Sequence, residues 1–171
     1  VFDISQTSGK ELPKIEIKKL EGESESATAM IEALEKITEI PVHFIEDTGT
    51  ANGWYHLEDK DITINSNLST IHKVKTWIHE LAHSRLHNKD QEMKSASERE
   101  VEAEGIAFVV CNHFGIDTSE YSFGYVAGWS GNVDYIKTVG ETIQKESSKM
   151  IMEISKVIEQ KEQKKEDEET A

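Results

Sequence analysis

A chain of 171 residues, 36% hydrophobic and 30% charged, is long enough to bury a core as one soluble domain. Its formal net charge of −14 opposes an exposed nucleic-acid-binding surface on this segment. No apolar run approaches the ~20 residues of a membrane span, and the single cysteine, Cys111, excludes an internal disulfide and points to a reducing, cytoplasmic setting.

The chain opens with no secretory leader pattern, and Val1-Phe2-Asp3-Ile4 reads as the interior of something longer, an excised domain. Residues 1–23 carry Gly9, Pro13 and Gly22 without a sustained period, so an extended arm is expected there, with a short strand at Ile15-Glu16-Ile17. From Ser24, Met30, Ile31, Leu34 and Ile37 recur at helical spacing until Pro41 closes the segment. Val42 to Ile45 reads as a strand. A turn region from Gly49 to Gly53 leads to Trp54-Tyr55-His56-Leu57, and the polar turn Glu58 to Asp61 returns the chain through Ile62 to Asn65, a hairpin.

Ser66 to Ser69 offers N-caps for a helix with Ile71, Val74, Ile78 and Leu81 on its apolar stripe, ending near His87-Asn88. A second long helix is expected from about Glu98 to Phe114, with Gly115 at its C′ position. Asp117-Thr118-Ser119-Glu120 has capping-box spacing and opens a short helix through Tyr125 to Trp129. Gly131-Asn132 breaks it, and a last helix carries Ile136, Val139, Ile143, Met150, Ile151, Ile154 and Val157. Residues 1–160 thus read as one domain, and the charged tail 161–171 is expected to fray.

The chemistry centres on His79-Glu80-Leu81-Ala82-His83. Two histidines four apart on a helix stand one turn above each other on one face and can share a Zn²⁺ ion. Zinc on three protein ligands keeps a position open for water and lowers its pKa towards ~7, so Glu80 can act as general base. The third ligand lies elsewhere. Ser84-Arg85-Leu86-His87 lacks the glycine of an x-x-G-x-x-H continuation, and His87 is rotated from His79 by about 80°. His87 can at most support a ligand from behind, or serve as a cation at the helix end.

Glu98-Arg99-Glu100-Val101-Glu102-Ala103-Glu104 opens the next helix with four acids, of which Glu100 and Glu104 share a face. One of the two can ligate the metal while the other accepts the ring hydrogen of a ligand histidine. Glu102 is expected to point elsewhere, into solvent. Gly105 lets this helix approach a neighbour closely. His43, His56, His72 and His113 read as ordinary structural or surface histidines, and Cys111 as a small buried apolar residue.

These residues resemble the gluzincin arrangement, H-E-x-x-H with a later glutamate. More narrowly, the chain resembles the C-terminal metallopeptidase domain of ArdC/LtrC-type plasmid anti-restriction proteins, related to the ImmA/IrrE peptidases. The resemblance rests on Val1 to Thr7, Gly53-Trp54-Tyr55, Lys75 to His83, Arg99-Glu100-x-x-Ala103-Glu104 and Tyr125-Val126-Ala127-Gly128-Trp129, covering roughly residues 1–130. It implies His79, His83 and Glu100 as Zn²⁺ ligands and Glu80 as base, with Glu104 and His87 in support. Tyr125 either packs on the core or donates a hydrogen bond to the tetrahedral oxyanion.

The fold expected is α+β and zincin-like, a small mixed or antiparallel sheet packed with the H-E-x-x-H helix and further helices. The strand at 61–65 is expected nearest the site, presenting its edge to an extended peptide. The function expected is zinc-dependent hydrolysis of a peptide or protein substrate by a mobile-element protein, with no nucleic acid or membrane bound by this segment. The alternative is a non-catalytic interaction module of the same fold, whose acidic surface acts in anti-restriction or regulation.

Overall fold

Three short strands form where β-branched and aromatic residues gather: β1 (Val42–Ile45), β2 (Gly53–His56) and β3 (Asp61–Asn65). In this computed structural model, which describes residues 23–87, 94–118 and 133–169, they build a sheet in the order β1-β3-β2. β1 runs parallel to β3, with Phe44 opposite Ile64. β2 runs antiparallel to it, with Tyr55 opposite Ile62. The architecture is α+β with a mixed sheet, consistent with a zincin-type fold.

The sheet order corrects one expectation. The 61–65 segment is the central strand, paired on both sides, and offers no edge. Its residues 62–64 are all buried, as a middle strand requires, whereas β2 and β1 are only partly covered. Among the described residues β1 and β2 each pair with β3 alone, and β2 is the outer strand that packs against α2.

Of the described helices α1 (Glu23–Ile37), α2 (Thr70–Leu86), α3 (Ala96–His113) and α4 (Val133–Glu169), α2 packs on this sheet, α1 and α3 flank α2, and α4 packs on both of those. Ser69 caps α2 by accepting the His72 backbone N–H. Ser95 and Glu98 make a full capping box, so α3 starts two residues before Glu98. Gly115 ends it at φ +74°, with the Ile116 N–H reaching back to the Cys111 carbonyl. The core joins Met30 and Leu34 of α1, Ile62 and Ile64 of β3, Trp77, Ile78 and Leu81 of α2, Ile106 and Val110 of α3, and Met150 and Ile154 of α4. Trp77 Nε1 donates to Thr38 Oγ1 at 3.0 Å, satisfying the one polar atom this large side chain brings inside.

Two glycines set the spacing around α2 and α3. A Cβ on Gly53 would stand 2.6 Å from the Thr63 carbonyl oxygen and 2.8 Å from Thr76 Cγ2, so only glycine lets β2 approach β3 and α2 together. A Cβ on Gly105 would meet Ile143 Cδ1 at 2.5 Å, where α3 crosses α4. Arg85 ties α2 to its neighbours, donating to Glu146 at 3.1 Å, Glu153 at 2.8 Å and the Ile37 carbonyl at 3.3 Å.

Helix α4 runs on to Glu169, beyond the Gln160 where fraying is expected; Lys161 meets the Glu32 carboxylate across the gap to α1. No described helix is long and apolar enough to cross a membrane. The expected arm, most of the expected 117–129 helix, and Tyr125 with Trp129 lie outside the described residues.

Candidate metal centre

Helical spacing brings His79 and His83 together on the last turns of α2, and the start of α3 lays Glu100 across them. The two Nε2 atoms are 3.0 Å apart. Glu100 Oε2 lies 3.4 Å from His79 Nε2, and Oε1 lies 3.4 Å from His83 Nε2. One donor atom from each of the three falls within 4.8 Å of the others, the one such group among the described residues. Tetrahedral zinc with bonds of about 2.0–2.2 Å needs donors roughly 3.3 Å apart, so this nitrogen, nitrogen, oxygen set fits that ion.

Glu80 is 8% exposed and lines the same cleft, accepting the Tyr55 backbone N–H from β2. Burial pushes its carboxyl up to about 7, against the pull of charge on His79. His79 moves the other way from what burial demands. Desolvation lowers it, but the hydrogen bonds to Glu100 and Glu104 and the nearby carboxylate charges carry it up to about 9. His83 is held below the ordinary histidine range, first by burial and then by charge on His79. Glu100 is held low, first by the His79 hydrogen bond. Without metal, the pair thus divides into one charged and one neutral imidazole.

Each histidine is held at its outer nitrogen. His79 Nδ1 lies 3.3 Å from Glu104 Oε2, and Lys75 Nζ sits 2.6 Å from Glu104 Oε1. His83 Nδ1 lies 2.9 Å from His87 Nδ1. His87 Nε2 is 2.9 Å from Glu102 Oε2, and Lys94 Nζ is 2.5 Å from Glu102 Oε1. The structure therefore corrects the expectation for Glu102, which is 1% exposed. A helical wheel of α3 sends Glu102 away from Glu100 and Glu104, but His87 and the segment before α3 cover that side. Burial pushes Glu102 up, and the hydrogen bonds from His87 and Lys94 more than offset it, leaving it below the usual carboxylate range. His87 is itself buried, with its backbone N–H closing on the His83 carbonyl at 2.9 Å.

The cleft over these groups has a volume of about 410 Å³, walled by residues 51–55 and Leu57 on one side and by α2 and the start of α3 on the other. Arg99 and Trp54 face it as well. Among the described residues, a larger hollow of about 790 Å³ between α1 and α4 holds no metal-ligating set. The residue pattern alone missed Lys75, Lys94, Glu102 and the Tyr55 amide. Lys75 stands four before His79 and so carried a signal in its spacing; a backbone amide carries none. Cys111 is buried on α3 with its thiol pushed up to about 12 by burial, and belongs to the core.

Comparison with known proteins agrees with this geometry. Residues 38–119 match the family model of the IrrE N-terminal-like domain, Peptidase_M78, which supports kinship with the ImmA/IrrE metallopeptidases. That span holds the whole sheet, α2 and α3. The chain is also 33% identical over 163 residues to an uncharacterized protein of Bacillus anthracis, pXO2-81, covering 84% of this chain and 28% of that protein. No solved structure matches.

Proposed function

We propose that this domain is a zinc-dependent metallopeptidase of the ImmA/IrrE kind that cleaves a peptide or protein substrate in the cytoplasm. Its setting is a mobile-element protein of the ArdC/LtrC type, with neither nucleic acid nor membrane bound by this segment. The convergence of His79, His83 and Glu100 beside buried Glu80 carries the reading. Zinc held by these three would supply a Lewis acid for the scissile carbonyl and lower the pKa of water from 15.7 to about 7.

The chain's own groups divide the remaining work. Glu80, held by the Tyr55 amide and poised near neutrality, takes a proton from the attacking water and later delivers it to the leaving nitrogen. The outer edge of β2 borders the cleft and aligns an extended peptide by main-chain hydrogen bonds. Glu104 and His87 hold the two imidazoles in place. Tyr125, by the family resemblance, donates a hydrogen bond to the tetrahedral oxyanion.

Metal analysis and peptide hydrolysis test the proposal together. Wild type should hold one zinc per chain and His79→Ala none; zinc absent from wild type ends the metal reading. Glu80→Gln should keep zinc and lose hydrolysis. Full biological activity in Glu80→Gln would instead favour an interaction module that does not use the chemistry.

A further inference from the structure

We infer that His87 and Glu102 form a hydrogen-bond relay that fixes which nitrogen of His83 is free to bind a cation. The inference rests on the metal reading above and extends it to two positioning residues that are not among the three ligands.

The direction of the relay follows from what each group can donate. Glu102 is 1% exposed, and Lys94 Nζ stands 2.5 Å from its Oε1, so this carboxylate sits between two groups that can donate to it. The hydrogen in the 2.9 Å contact to its Oε2 therefore sits on His87 Nε2. On the other side of the same ring, His87 Nδ1 lies 2.9 Å from His83 Nδ1. Two ring nitrogens at this distance share one hydrogen, and a cation on the opposite nitrogen of His83 requires that it belong to His83 Nδ1. The remaining His83 nitrogen, Nε2, is then bare, and it is the atom that faces His79 Nε2 and Glu100. Lys94 on the second Glu102 oxygen fixes the carboxylate in angle. Reversing the relay, with His87 donating to His83, would put the His83 hydrogen on Nε2 and block the ligand position.

A merely structural His87 would pair a buried carboxylate and do nothing for His83. Side-chain chemistry separates the two roles. Asparagine places its amide oxygen where His87 Nδ1 stands and so keeps an acceptor for His83 while losing the link to Glu102. Glutamine reaches Glu102 and loses the acceptor. Phenylalanine fills the space with neither.

The test measures zinc affinity by chelator competition in wild type, His87→Phe, His87→Asn and His87→Gln, with the thermal midpoint of each metal-free protein as a folding control. His87→Phe should bind zinc 10–100-fold more weakly than wild type, the usual cost of losing a partner behind a ligand. His87→Asn should recover most of that loss, and His87→Gln should not, whatever their order of thermal stability. If His87→Phe does not fold, the Asn and Gln pair decides the matter alone, and equal zinc affinities in the two overturn the relay. Nitrogen-15 NMR of the zinc-loaded wild type should show the His83 hydrogen on Nδ1; zinc on Nδ1 and the hydrogen on Nε2 overturns it. Tight zinc binding by wild type with an unaffected His87→Phe rejects the relay and leaves the metal reading standing. A wild type without zinc rejects both.

Discussion

The two ligand histidines stand one turn apart on the same helix, yet they are supported in different ways. Behind His79 a carboxylate acts directly, at 3.3 Å, with Lys75 on its far oxygen. Behind His83 a second imidazole is interposed, and the carboxylate lies one residue further back with Lys94 on it. A direct carboxylate orients the ring and adds to the pull of Glu100, and together they raise His79 to about 9 against the lowering by burial. Behind an interposed ring the carboxylate stands further off, and His83 remains in the lowered range set first by burial and then by charge on His79. The same geometric result is reached with opposite electrostatics, and the metal-free pair avoids two adjacent imidazolium charges.

Removing either ring breaks the comparison altogether. His83→Ala should lose stoichiometric zinc as His79→Ala does, read by metal analysis after gel filtration, and retention of one tightly held zinc would move the site elsewhere. Next in size, Glu104→Gln should weaken zinc by 10–100-fold, because it removes both charge and orientation from the direct arm. Its loss should exceed that of His87→Asn, and the reverse order would mean that charge at the outer nitrogen matters little.

The lysines sharpen the contrast through stability. Lys75 is 13% exposed and Lys94 36% exposed on the side chain. Lys75→Met should therefore destabilise the fold by about 1–3 kcal/mol, leaving a buried carboxylate short of a partner. Lys94→Met also leaves a buried carboxylate short of a partner, but it opens Glu102 to water at an already exposed lysine, so its cost should be the smaller of the two. Urea unfolding of the two variants checks the order, and equal costs would erase the distinction. The smallest effect is expected at Cys111, buried behind Glu104 on α3 with its thiol near 12. Folded protein at pH 8 should resist iodoacetamide until denaturant opens the core.

Much of this was legible where the physics is local. The i, i+4 pairs His79 and His83, and Glu100 and Glu104, follow from helical period, and the β2–β3 hairpin follows from two apolar runs around a polar turn. The end of α3 at Gly115 was legible for the same reason. What failed was non-local. Which strand lies in the middle depends on β1 joining β3 in parallel, a pairing no window of the chain contains. Glu102 looked exposed because a wheel drawn for one helix has no place for His87 and Lys94, which reach it from the end of α2 and the segment before α3. The Tyr55 amide is invisible for a simpler reason: every residue but proline carries one.

Arg85 lies two residues beyond His83 and touches nothing in the cleft, yet it reaches two carboxylates on α4 and a carbonyl at the end of α1. Three anchors off the helix axis act as a key in a shaft: α2 cannot roll about its own length while they hold. Roll would swing both imidazoles out of alignment with Glu100 without breaking a single hydrogen bond within the helix. Helix α4 contributes no ligand, but it sets the phase of the helix that does. Damage to Glu146 or Glu153 would then be felt at the cleft as a mistuned angle, with every ligand still in the chain.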